Sequence, residues 1–199
     1  MFNSGISVKE LVDELITEVD IALDIPQSTY VQWLNALQQV LYTEIIKEQR
    51  KTVLESNLDN PISLSLITVG DDENRPRFED IYAVYADDVQ LMKSTVASGD
   101  IFPNTFYKSN NDIGYHTDKT PKAFTIVYIV KPALVANEIN DAKVMVPIEF
   151  IDLVKAKLRG EAYKLANEDE IAANWLTDYN VLLETFKMWV TERSPKFGM

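Results

Sequence analysis

The last third of the chain restricts its fold more than any other part. Residues 124–132, FTIVYIVKP, have the length and apolar character of a strand that is covered on both faces. Two segments with helical spacing of apolar residues follow, at about 147–166 and 168–190. Because an amphipathic helix must bury its apolar stripe, we expect a C-terminal antiparallel helix pair that packs on other elements.

The two C-terminal segments also carry local helix signals. Pro147 suits a first helical turn, where a missing N–H is harmless. Asn167 and Glu170 have the spacing of an N-terminal capping pair for the second helix. The apolar stripe of the helix at about 147–166 consists of Ile151, Val154, Leu158, Ala162 and Leu165. The apolar stripe of the helix at about 168–190 consists of Ile171, Trp175, Tyr179, Leu182, Phe186 and Trp189. Such spacing is typical of core packing, and a partner surface is the alternative.

Two further helices are predicted at the N-terminus, at about 8–20 and 28–48. Ser7 and Glu10 have capping-box spacing, and Pro26 separates the two helices. The basic residues Lys47, Arg50 and Lys51 suit the negative end of the second helix dipole. The predicted core faces are Val8, Leu11, Val12, Leu15 and Val19 in the first helix, and Tyr30, Trp33, Leu34, Leu37, Val40, Leu41 and Ile45 in the second. The predicted polar side of the second N-terminal helix consists of Gln32, Asn35, Gln38, Gln39 and Glu44.

The middle of the chain, at about 60–131, has the period of strands. Short β-rich runs alternate with polar turns, and TFYKSNNDIGYHT reads as a hairpin with its turn at 109–112. Helices, then strands, then helices indicate the α+β class with a central antiparallel β-sheet. We expect residues 1–199 to form a single domain.

Composition excludes several classes of function. The net charge is −12, from 31 acidic and 19 basic residues, which disfavours direct binding to nucleic acid or to an anionic membrane. No apolar stretch approaches the roughly 20 residues that span a bilayer, and the N-terminus does not have a signal-peptide pattern. Without cysteine there is no disulfide framework or thiolate metal site. We expect an intracellular protein.

Few residues suggest chemistry. His116 is the only histidine, and a general base there would need a carboxylate such as Asp112 or Asp118. Its more usual role is that of an exposed hairpin residue. The acidic clusters, at 71–73 and at 87–88, do not have EF-hand spacing and are typical of solvated turns. We therefore predict a protein that is not an enzyme, with no catalytic, cofactor-binding or metal-binding residues and no cofactor.

Three segments resemble the head-to-tail adaptor (connector or neck) proteins of tailed bacteriophages. These are Trp33-Leu34-Asn35-Ala36-Leu37 in the long N-terminal helix, the strand ending in Tyr128-Ile129-Val130-Lys131-Pro132, and Pro147-Ile148-Glu149-Phe150 before the helix pair. Together with their flanking helices they cover most of the chain. The central sheet resembles that of the adaptor proteins only in being a β-sheet.

The resemblance implies a structural virion protein without catalysis. Such a protein forms a homo-oligomeric ring between the portal protein and tail components, and DNA passes nearby without specific binding. It implies location in the virion, and in the host cytoplasm before assembly, without membrane contact. Residues 191–199 would be a tail that docks on the portal. The alternative is a non-catalytic phage or bacterial partner-binding protein, for tail completion or regulation.

Overall fold

The computed structural model of the chain describes residues 4–47, 49–55, 60–63, 77–94, 102–109, 112–131, 134–135 and 142–193. The chain divides into two compact units. We call Met1–Ile46 with Leu134–Met199 the helical unit, and Lys47–Ala133 the sheet unit. The sheet unit is thus an insertion between two parts of the helical unit. The α+β class is confirmed, and the formation of a single domain stays a prediction.

The described elements follow the predicted order of helices, strands and helices. They are α1 (Val8–Glu18), α2 (Gln27–Val40), a π-helical turn (Leu41–Ile46), β1 (Gln49–Glu55), β2 (Ile62–Ser63), β3 (Arg77–Ala86), β4 (Val89–Lys93), β5 (Thr105–Ser109), β6 (Asp112–His116), β7 (Ala123–Lys131), a 3₁₀ turn (Ile148–Phe150), α3 (Ile151–Leu165) and α4 (Asp169–Arg193). None of the helices in these described ranges is long and apolar enough to cross a membrane.

Helix α1 begins at the predicted capping box. The Ser7 hydroxyl accepts the N–H of Glu10 at 3.1 Å, and the Glu10 carboxylate accepts the N–H of Ser7 at 2.7 Å. All five residues of the predicted α1 stripe are buried. Helix α1 is also joined to α3 by two ion pairs, from Lys155 to Glu14 and from Arg159 to Glu18. The buried stripe and the ion pairs together fix α1 within the helical unit.

Helix α2 differs from its prediction at its end and on its polar side. Its α-helical part ends at Val40, and the π-helical turn that follows ends at Ile46. Gln38, predicted on the solvent side, is buried, and its Oε1 accepts the N–H of Met145 at 2.6 Å. Val40, predicted in the core, is exposed. Gln38 is buried because it hydrogen-bonds the backbone of a distant segment at Met145, and helical periodicity does not reveal such a contact. The π-helical turn changes the helical period only after Val40.

Helices α3 and α4 form the predicted C-terminal pair. Gly160 permits close contact, since a methyl group there would lie 2.8 Å from the Cγ and Cδ2 atoms of Leu176. Pro147 lies before the 3₁₀ turn that leads into α3. The predicted stripes are mostly buried or half-buried, but Leu165 and Ile171 are exposed. Both exposed residues lie close to the connection between the helices, where fewer neighbours cover a side chain.

The connection between α3 and α4 corrects the predicted cap at Asn167. Asn167 has a φ of 61°, and its N–H donates to the carbonyl of Lys164 at 3.1 Å. The N–H of Glu168 donates to the carbonyl of Tyr163 at 2.9 Å. These two bonds and the left-handed residue form a Schellman motif. Asn167 therefore ends α3, because its positive φ is incompatible with the extended backbone of an N-cap.

The described strands of the sheet unit form one sheet, in the order β1-β7-β3-β4-β5-β6-β2. Strand β7, predicted to be covered on both faces, pairs with β1 on one side and with β3 on the other. The pairs between described strands are antiparallel except for β4 and β5, which are parallel. The sheet is therefore mixed, which corrects the fully antiparallel prediction. A parallel neighbour cannot be joined by a tight turn, so turn signals in the sequence do not reveal it.

Two hairpins in the sheet have strong local signals. Strands β5 and β6 pair from Ser109↔Asp112 to Thr105↔His116, as predicted. Strands β3 and β4 are joined by Asp87 and Asp88, whose φ angles are 46° and 67°. Two consecutive left-handed residues between paired strands form a type I′ turn, which matches the twist of the sheet.

Strand β1 was not predicted from the sequence. Residues 49–55 include Arg50 and Lys51, which were expected at a helix end and lie in the strand instead. Each of the seven residues pairs with β7, from Gln49↔Ile129 to Glu55↔Ala123. The long-range partner makes this polar segment a strand, since it does not have a regular apolar alternation of its own.

Candidate functional site

His116, the predicted chemical residue, is the last residue of β6 and is half-buried. Its ring lies 5.7 Å from the Tyr107 ring, centroid to centroid, on the neighbouring strand β5. Gly114, the cross-strand partner of Tyr107, leaves room for this arrangement, because a methyl group on Gly114 would lie 2.0 Å from Tyr107 Cζ. Strand pairing and the tyrosine ring thus hold the imidazole at the end of the hairpin.

A polar pocket of about 440 Å³ opens beside His116 in the sheet unit. Its lining residues are Asn60, Pro103, Tyr115, His116, Thr117, Asp118 and Thr120. Asn60 fixes one wall: its Nδ2 donates to the Tyr115 carbonyl at 2.9 Å, and its Oδ1 accepts the Tyr115 N–H at 3.3 Å. The Tyr115 ring packs on the Phe124 ring, with centroids 4.5 Å apart. The pocket therefore has fixed walls.

The pocket brings His116 together with Asp118 and leaves Asp112 out. Asp112 begins β6, so its Cα lies about 13 Å along the strand from that of His116. An imidazole, a carboxylate and the hydroxyl of Thr120 around one pocket can bind a small polar molecule. No group of three histidine or acidic residues that could hold a metal occurs among the described residues.

Among the acidic and basic clusters, Asp87 has a structural role. Asp87 Oδ1 accepts the N–H groups of Lys122 and Ala123 at 2.9 and 3.0 Å, which ties the β3–β4 turn to the start of β7. The exposed turn predicted at Asp87 and Asp88 is confirmed. The cluster at 71–73 lies outside the described residues. Of the three basic residues, Lys47 alone follows a helical turn, with a φ of 47°.

The aromatic stripe of α4 packs largely within the helical unit. Phe186 is fully buried, and its ring lies 4.9 Å from that of Phe150. Trp189 is half-buried and lies 5.3 Å from Phe150, with the Arg193 guanidinium 4.2 Å from the Trp189 ring centroid. Core packing thus explains most of the stripe. Helix α4 also continues to Arg193, so its last turn includes residues that were predicted to be tail, and residues 194–199 lie outside the described residues.

A second cavity lies in the helical unit, and the sequence analysis missed it. We call it the helical groove. It has a volume of about 390 Å³, and its lining residues are Trp33, Ala36, Leu37, Val40, Lys157, Glu161 and Tyr179. They come from α2, α3 and α4. The only signal in the sequence was the position of Trp33, Val40 and Tyr179 on apolar stripes, which is equally typical of a closed core.

No protein-family model matches this chain, and no curated protein sequence matches it.

Proposed function

We propose that this chain is a head-to-tail adaptor, a structural virion protein that forms a homo-oligomeric ring between the portal and the tail of a tailed bacteriophage. The observation that carries the proposal is the construction of the helical unit. Its helices come from both ends of the chain, and the whole sheet unit is inserted between them. This is the helix–sheet–helix order of the resemblance.

The resembling segments support the proposal because each one occupies a defined structural position. Residues 33–37 lie within α2 and supply the buried Leu34 and Leu37. The strand that precedes Pro132 is β7, which lies between two other strands. Residues 147–150 form the turn that leads into α3, and Phe150 packs on α4.

The exposed side of α4 is acidic, as expected for a protein that lies near DNA without binding it. Its exposed carboxylates are Asp169, Glu170, Asp178, Glu184 and Glu192. Among the described exposed residues of the same helix, Lys187 and Arg193 are the cations, and Lys187 pairs with Glu184 at 2.7 Å. A surface of this charge repels phosphate groups, as the wall of a DNA channel would require.

Co-purification with the portal protein of the same genome tests the proposal. We expect the chain to migrate with the portal in size-exclusion chromatography with light scattering, at a ring stoichiometry. Deletion of residues 194–199 should weaken this association at least about tenfold, while the thermal unfolding midpoint stays unchanged. A variant with residues 194–199 in scrambled order is the matched control for length and composition, and should also bind weakly.

Absence of portal association in the intact chain, at micromolar concentrations of both proteins, would overturn the adaptor proposal. The alternative is a partner-binding protein for tail completion or regulation, and the helical groove favours it. Under this alternative, the chain would bind one partner copy as a monomer, and light scattering would give a one-to-one complex.

A further inference from the structure

The helical groove has walls that are fixed before any partner arrives. The Trp33 ring contacts the Tyr30 ring edge-on, with centroids 5.4 Å apart, and Tyr30 is itself buried. On the other wall, Lys157 donates to Glu161 at 2.5 Å and lies 5.4 Å from the Tyr179 ring centroid. Side chains held in this way lose little conformational entropy when a partner binds.

The groove is apolar inside and still open to solvent. Leu37 forms its buried part, whereas Ala36 is exposed and Val40 is 42% exposed. Its volume of about 390 Å³ falls in the range of cavities that bind small ligands or single side chains. An apolar side chain placed there would remove the exposed surface of Val40 from water, which is favourable.

The charges around the groove are unbalanced toward negative. Lys157 is neutralised by its ion pair with Glu161. Glu44, on the π-helical turn, adds a second carboxylate, and it is exposed. Glu44 follows Val40 by four residues, about one helical turn, which places it next to the groove. Burial raises the pKa of Tyr179, and the negative charge of Glu44 raises it further, in agreement with this placement. In a chain of net charge −12, this edge attracts a cation more readily than an anion.

The backbone around the groove restricts the form of the partner. The lining residues all belong to helices, whose N–H and C=O groups are already bonded within the helix. An extended peptide would find no strand edge to pair with there. A partner helix satisfies its own backbone and presents side chains on one face.

We propose that the helical groove binds a short, basic amphipathic helix of another protein. One leucine or aromatic side chain of that helix sits between Trp33 and Tyr179, and a lysine or arginine of the same helix faces Glu44. The proposal does not depend on the adaptor function, because it follows from the shape and charge of this groove alone.

A synthetic amphipathic helix of leucine and lysine is the probe, and an analogue with glutamate in place of lysine is its charge control. We expect calorimetric titration of the full chain to show binding of the lysine peptide at least about tenfold tighter than that of the glutamate peptide. In nuclear magnetic resonance spectra, the indole N–H signal of Trp33 should shift more than those of Trp175 and Trp189.

Two arginine substitutions at exposed valines separate the groove from general charge attraction. Val40→Arg fills the groove with a cation and should weaken binding of the lysine peptide at least about tenfold. Val181→Arg adds the same charge on α4, where the side chain is 64% exposed and does not line the groove, and should change the affinity less than about twofold. Circular dichroism checks that both variants are folded.

Equal weakening by the two substitutions would overturn the proposal, since binding would then reflect total charge. Failure of the lysine peptide to bind the wild-type chain at millimolar concentration, or equal binding of the two peptides, would also overturn it.

Discussion

Ser7 and Glu10 close the first turn of α1 with hydrogen bonds in both directions. The bond from the Ser7 N–H lowers the pKa of the Glu10 carboxyl below its ordinary value of 4.5, and the bond from the Ser7 hydroxyl lowers it further. The folded state therefore binds a proton here less readily than the unfolded state. The stability that this group contributes is present above about pH 4.5 and is lost as the pH falls through the lower folded pKa.

We predict that Glu10→Gln reduces the loss of unfolding free energy between about pH 6 and pH 3. We also predict that Ser7→Ala, which removes the N-cap, lowers the free energy of unfolding by about 1 kcal/mol at neutral pH. Urea denaturation across this pH range measures both effects. Asp20→Asn, at an exposed carboxylate outside the helices, is the control for the removal of one carboxylate. A pH-independent difference between Glu10→Gln and the wild type would contradict the prediction.

Gly114 has a structural role because it has no side chain. The Tyr107 ring covers this glycine, with Cζ, Oη and Cε1 at 2.0, 2.3 and 2.5 Å from the position of an added Cβ. The ring also contacts His116, which lines the polar pocket. Any side chain at Gly114 must therefore displace the tyrosine that supports the imidazole.

We predict that Gly114→Ala lowers the free energy of unfolding by about 1–3 kcal/mol, because the ring must move away from its strand partner. In the Tyr107→Ala background the same substitution should cost much less, since the obstructing ring is gone. Urea denaturation of the wild type, the two single variants and the double variant gives the free energies for this double-mutant cycle. Equal costs in the two backgrounds would show that the ring contact is not the cause.

Among the elements, the α3–α4 connection depends on one left-handed residue. Asn167 takes a φ of 61° so that the two closing hydrogen bonds of the Schellman motif can form. Asparagine tolerates this conformation better than most residues, and glycine tolerates it best. Beyond this connection the two helices approach closely at Gly160 and Leu176.

We predict that Asn167→Ala lowers the free energy of unfolding by about 1 kcal/mol. A positive φ is unfavourable for alanine, which does not have the local side-chain hydrogen bonds that help asparagine to adopt it. Asn167→Gly should be as stable as the wild type or more stable. Thermal and urea unfolding of the two variants measure the difference. Equal stability of the alanine and glycine variants would argue against the backbone explanation.

At the scale of the whole molecule, each unit has its own apolar core. The buried cluster of the helical unit draws on residues before Ile46 and after Leu134. The cluster of the sheet unit draws on the strands between them, with Phe106, Ile113 and Ile126 among its most buried residues. Asn35 ties the returning chain to α2 through two hydrogen bonds with the backbone of Val135, at 2.8 and 2.9 Å.

We predict that the helical unit folds without the sheet unit. A variant in which residues 47–133 are replaced by a flexible linker of about ten glycine and serine residues, which spans roughly 16–19 Å, should give a helical circular dichroism spectrum and cooperative unfolding. The full chain is the reference. A disordered product would show that the sheet unit is needed for folding, and that the single-domain prediction is the better description.

Local signals predicted much of the fold but little of the candidate sites. The capping box at Ser7 and the β5–β6 hairpin depend on neighbours within a few residues, and both predictions are confirmed. The pocket at His116 draws Asn60 and Pro103 from distant parts of the chain, so no spacing rule could find it. The helical groove was missed because an apolar stripe has the same period whether or not a neighbour covers it.

The sequence by itself determined the four helices of the described residues, most of their buried faces and the α+β class, because helical periodicity and capping are local properties. Only the tertiary structure decided that residues 49–55 form an edge strand, that β4 and β5 pair in parallel, and that the sheet is an insertion into a helical unit. Pairing with a distant strand supplies the hydrogen bonds in these cases. Asp118 lines the pocket with His116, whereas Asp112 lies at the other end of β6.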